Sequence, residues 1–115
     1  MFNILAILRT IALVGTIGTG LLALFNPNAA QGFTGLSIPG GRGKTEVRAI
    51  FGGLFIALGL VPFFLGTPAF QMLGFAYLGI AVVRLLAIFI DRSSVQSNWI
   101  SLVIEILFAI FLLVG

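Results

Sequence analysis

Three carboxylates and six cationic side chains make up the whole charged inventory of this 115-residue sequence: Glu46, Asp91 and Glu105 against Arg9, Arg42, Lys44, Arg48, Arg84 and Arg92. Neither cysteine nor histidine occurs. That removes thiolate and imidazole ligation, disulfides, and acid–base or nucleophilic chemistry built on those side chains. No catalytic residue, metal site or cofactor is therefore expected. The chemistry left is that of carboxylates and guanidinium groups.

Arg84 and Glu105 are the most informative of these, because each stands inside an apolar run: FAYLGIAVVRLLAIFID and WISLVIEILFAIFLLVG. A charge near a bilayer centre costs on the order of 3 kcal/mol on insertion scales, so each needs compensation. Arg84 lies seven residues before Asp91, about 10 Å of helix at 1.5 Å per residue. Glu105 follows Ser97 by eight residues, about 12 Å from the same side. Opposite charges at matching depth on consecutive antiparallel helices predict an ion pair or a shared water.

Helical spacing gathers further polar groups around that pair. Tyr77, Arg84 and Asp91 repeat every seven residues along one stripe. Asn98, Ser101 and Glu105 recur at three- and four-residue spacing on one face. Glu46 heads a stripe with Ala49, Gly53 and Ala57, small residues of the kind that let membrane helices approach closely. The expected binding set is thus Glu46, Arg48, Arg84, Asp91 and Glu105, supported by Tyr77, Asn98 and Ser101. A purely architectural reading stands beside it, in which Arg84 and Glu105 neutralise each other and fix the packing while the remaining charges snorkel to headgroup level. Arg9 is expected to snorkel at the opposite end.

The stretch PGGRGKTEVRAIFGG also carries Gly43-Lys44-Thr45, the tail of a phosphate-binding loop. A phosphate loop needs a further glycine five residues before Gly43, after a strand. Ile38 occupies that position and no buried strand precedes it. The glycines are expected to form a mobile turn, with Thr45 or a neighbour capping the next helix. No nucleotide and no nucleic acid is expected as a partner.

The elements that must position these residues follow from composition. With 60% hydrophobic and 8% charged residues and a mean hydropathy of +1.25, the chain is far more apolar than a soluble domain, about a quarter of which is charged. Four apolar runs approach the ~20 residues needed to cross the hydrocarbon core, at residues 2–25, 47–65, 70–90 and 99–114. Asn26-Pro27-Asn28, Gly66-Thr67-Pro68 and the polar stretch from Asp91 to Asn98 interrupt them. The expectation is an all-α integral membrane four-helix bundle, one domain over residues 1–115, with short connections and one longer first loop at residues 26–45. Arg9 breaks the first run and no cationic cluster precedes it, so it is read as a retained span rather than a signal peptide. Arg42, Lys44, Arg48 and Arg92 would share one side, which by the positive-inside rule places both termini outside.

Asn26-Pro27, the stretch from Gly35 to Pro39, Glu46-Val47-Arg48-Ala49-Ile50-Phe51-Gly52-Gly53, and the isolated Arg84 and Glu105 together resemble a family of small bacterial four-helix membrane proteins catalogued as domain of unknown function 4345. The resemblance covers nearly the whole chain, and the Glu-x-Arg-Ala-x-Phe-Gly-Gly stretch is its most specific element. It implies a membrane bundle with recurrent polar positions at Glu46, Arg48, Arg84 and Glu105, and it implies no reaction.

The leading functional expectation is a non-enzymatic binding or accessory subunit of a larger membrane complex, in a bacterial inner (plasma) membrane. Its polar pocket would hold a lipid headgroup or an anionic amphiphile, with Arg48 and Arg84 as cationic contacts. Expected partners are membrane lipids and a protein partner or further copies of the chain. The alternative is an oligomeric small-solute or proton-coupled transporter, because buried carboxylates beside arginines relay protons. An intramembrane enzyme ranks third, since nothing in the spacing of Glu46, Asp91 and Glu105 singles out a reaction.

Overall fold

The computed structural model describes residues 3–38 and 40–114, apart from the side chains at 32 and 33. Phe2, where the first span was expected to start, Pro39 of the glycine-rich stretch, and the two terminal residues of the expected domain lie outside the described residues. The described residues form helices and connections without strands. Four of the helices are long and apolar enough to cross a membrane.

Helix α1 covers Ile4–Phe25. Asn3 starts it by accepting the Ala6 N–H on Oδ1 at 2.7 Å, the usual way a side-chain oxygen satisfies a free first-turn donor. Asn26-Pro27 stops it, and Pro27 then opens α2 (Pro27–Thr34), since a missing N–H costs nothing in a first helical turn. Gly35, at φ 75°, ends α2 with its N–H on the Gln31 carbonyl. The first connection is therefore mostly helical, not the long loop expected from its polarity. Ala30 of α2 is buried with Ala23 and Val47, and Ile38 and Phe51 pack against that cluster.

Helix α3 runs through Gly40–Leu65 and starts seven residues earlier than the apolar run. The expected mobile turn is its first turns, Gly40–Glu46. Thr45 is no cap: its hydroxyl donates back to the Gly41 carbonyl at 3.0 Å. A π-helical stretch, Val47–Leu54, follows; such wide turns are rare and change which side chains share a face. Pro62, which has no N–H to donate, interrupts the helix near its end. Gly66, at φ 73°, makes the tight turn into α4 (Thr67–Ile90), and α5 covers Gln96–Leu113. The third and fourth spans each start three residues before the expected position, because Thr67-Pro68 and Gln96 are polar yet helical.

Packing divides the chain into two compact units, Leu13–Phe64 on one hand and Met1–Ala12 with Leu65–Gly115 on the other. In the first, α1 and α3 approach through Gly20 and Gly52. A Cβ on Gly20 would stand 2.8 Å from the Gly52 carbonyl, and one on Gly52 would stand 3.2 Å from Leu24 Cβ. The expected small stripe is elsewhere: Ala49, Gly53 and Ala57 are all exposed, because the π-helical turns bring Gly52 rather than Gly53 to the contact. In the second unit, Ala81, Ile88 and Leu102 form the buried seam of α4 and α5, and Gly74 sits against Leu112 and Leu113. Outward, Ile4, Phe25, Phe64, Phe89 and Ile90 are each at least two-thirds exposed. Apolar surface of that kind is consistent with helices long and apolar enough to cross a membrane.

Candidate functional site

The end of α4 sets the geometry. Its backbone finishes with the Asp91 N–H on Ala87 O and the Ser93 N–H reaching back to Ile88 O at 2.9 Å. Arg92 between them takes φ 53°, the only positive φ at a described residue other than glycine. This is a Schellman-type ending, in which a left-handed residue lets the following N–H satisfy an orphan carbonyl. It turns the chain within a few residues, so that α5 returns antiparallel beside α4.

The turn brings Arg84 opposite Glu105. Arg84 Nε donates to Glu105 Oε1 and Nη2 donates to Oε2, both at 2.8 Å. This fork is the strongest arrangement the two groups can make. Arg84 Nη1 donates to Asn98 Oδ1 at 3.0 Å, and Asn98 Nδ2 donates to the Ser93 carbonyl at 2.9 Å. The network thus ties mid-α4 through α5 to the turn between them. Glu105 is buried and Arg84 is half-buried, with 11% and 31% of their side chains exposed. Six residues separate Arg84 from the last residue of α4, about 9 Å of helix, so the expected ion pair lies below the helix end as its depth required.

A groove of about 560 Å³ opens beside this network, lined by Gly79, Val83, Arg84, Asp91, Ser93 and Asn98 among others. Its volume is within the ~300–1,000 Å³ of small-molecule sites. Asp91 is exposed at one end, and no described side chain pairs with it. Gly79 lies at the other end, where an added Cβ would meet nothing within 4 Å.

The sequence-predicted set is thus partly assembled. Arg84, Asn98 and Glu105 form one network, and Asp91 shares its groove. Tyr77 is buried edge-on to Phe108, with ring centroids 5.4 Å apart. Ser101 is half-buried and its hydroxyl makes no hydrogen bond with a described residue. Glu46 and Arg48 belong to the Leu13–Phe64 unit. There Glu46 is exposed and pairs with Arg42 one turn away, so it does not head a buried stripe, and Arg48 is also exposed.

Sequence reasoning missed two features. Gly79 is anonymous in an apolar run, and only its place in the lining of the groove marks it. Arg9 does more than snorkel: its Nη2 donates to Val114 O at 2.9 Å, its Nε to Phe111 O at 3.4 Å, and its guanidinium sits 5.2 Å from the centroid of the Phe70 ring. A cation binding the last carbonyls of a helix also meets the negative end of its dipole. The available signal was a lone arginine at the depth of the opposite helix ends.

Among known proteins, residues 4–115 match the family model described as Domain of unknown function (DUF4345). No curated protein and no solved structure matches the chain.

Proposed function

The chain belongs to that family, and on this premise we propose that it is a small non-enzymatic membrane protein that binds an amphiphile in the groove beside α4 and α5. The observation that carries the reading is the groove itself: it pairs an apolar wall at Gly79 and Val83 with a hydrogen-bonded polar wall made by Arg84, Asn98 and Ser93. Asn98 locks Arg84 from a third side, so the polar wall is preorganised, which lowers the cost of binding.

The proposal extends to an accessory role in a bacterial inner (plasma) membrane, with membrane lipids and a larger complex or further copies of the chain as partners. Its support is the apolar surface that the chain leaves outward.

Native mass spectrometry of the full chain released from neutral detergent tests the binding reading. We expect a co-purifying amphiphile on the wild type and its loss from Gly79→Leu, which fills the groove. Gly79 is exposed in mid-helix, and leucine favours a helix more than glycine by about 0.8 kcal/mol, so folding should not suffer. An identical adduct on both proteins would remove the groove from the function.

A further inference from the structure

We infer that the groove takes an amphiphilic amine, with its ammonium head at Asp91 and its apolar tail lying toward Gly79. The inference rests on the binding reading above and deepens it by naming the class of ligand.

The sign of the charge decides the matter. An anion was expected because Arg48 and Arg84 looked like cationic contacts. In the structure the Arg84 charge is answered by both oxygens of Glu105, and a further N–H is taken by Asn98. The N–H groups left on Arg84 suit a neutral oxygen better than a second carboxylate or a phosphate, whose charge would face Glu105 as well. Arg48 is outside the lining and in the other unit. Arg84 is neutralised by Glu105, which does not itself line the groove, so the lining charge left unanswered is the −1 of Asp91. Asp91 is the one charged lining group without a side-chain counter-ion among the described residues. Arg92, next in the chain, does not line the groove.

The polarity gradient supplies the tail. Twelve residues separate Asp91 from Gly79, about 18 Å of helix. Past Arg84 the wall is Val83, Ile80 and Gly79. A small hydrated cation would have no use for that length of apolar wall, whereas an alkyl chain buries about 0.8 kcal/mol per methylene.

The test is calorimetric titration of the full chain in a neutral maltoside detergent with decylammonium, decyl sulfate and methylammonium. Decylammonium is expected to bind saturably and at least tenfold more tightly than decyl sulfate. Asp91→Asn should weaken it tenfold or more without shifting the thermal unfolding midpoint. Decyl sulfate binding as tightly as the amine, or an unchanged affinity in Asp91→Asn, would overturn the charge assignment while leaving the groove as a binding site. Methylammonium binding as tightly as decylammonium would overturn the requirement for a tail. Saturable binding of none of the three would overturn both the ligand class and the binding reading beneath it.

Discussion

Arg84 and Glu105 are joined by two parallel N–H···O bonds of 2.8 Å between neighbouring antiparallel helices, and Asn98 holds the same guanidinium from the side of the turn. Removing one partner of such a pair leaves a charge in a medium that cannot solvate it. Glu105→Leu is therefore expected to destabilise the chain by about 3 kcal/mol. The double variant Arg84→Leu/Glu105→Leu should recover most of that loss, because no charge remains to be solvated. Thermal unfolding in detergent, followed by circular dichroism, measures both; a double variant as unstable as the single would show that the pair stabilises by more than mutual neutralisation.

Asn98 joins the Arg84 guanidinium of α4 to the Ser93 carbonyl of the turn that follows it. Asn98→Ala should cost about 1 kcal/mol and should speed amide exchange across residues 91–96 more than elsewhere in α4 or α5. Uniform exchange changes would argue that Asn98 acts on global stability alone.

Arg92 adopts the left-handed conformation that glycine adopts freely. Arg92→Gly is expected to raise stability by up to ~1 kcal/mol, the relief of a side chain strained at that φ. A lower unfolding midpoint would mean that the Arg92 side chain contributes more than its backbone costs.

Close approach of α1 and α3 depends on Gly20 but not on Gly18, around which a Cβ would meet nothing within 4 Å. Gly20→Leu should destabilise by about 1–3 kcal/mol through overpacking. Gly18→Ala should instead stabilise by up to ~1 kcal/mol through helix propensity. The contrast between the two, measured in the same detergent, is the check.

Arg9 closes the carbonyl end of α5 with a planar fork. Arg9→Lys keeps the charge and loses the second bond and the ring stacking, so it should recover only part of the ~1–2 kcal/mol expected to be lost in Arg9→Ala. Amide exchange near Val114 reports the same loss locally, and full rescue by lysine would reduce the role of Arg9 to charge.

How far the sequence could be read depended on the range of the interactions involved. An apolar composition forces four helices, because each backbone polar group in lipid must be satisfied inside its own segment. Proline and glycine at Asn26-Pro27 and Gly66-Thr67-Pro68 end or begin them through local backbone sterics. The cost of burying a charge likewise tied Arg84 to Glu105 before any coordinates, since depth along a helix is a count of residues. The first connection was misread because polarity signals a loop, whereas Ala30, packed with Ala23 and Val47, holds α2 as a helix.

Beyond that pair, which faces meet was left to the tertiary structure. Face assignment by a regular 3.6-residue period fails through the π-helical turns at Val47–Leu54, which move the close approach from Gly53 to Gly52. The third Arg84 nitrogen donating to Asn98, the latch of Arg9 on α5, and the groove ending at Gly79 all depend on how side chains meet between helices or fail to. Within a single helix, a glycine that opens a cavity and one that admits a neighbour have the same sequence signature. Only the packing around them separates Gly79 from Gly20.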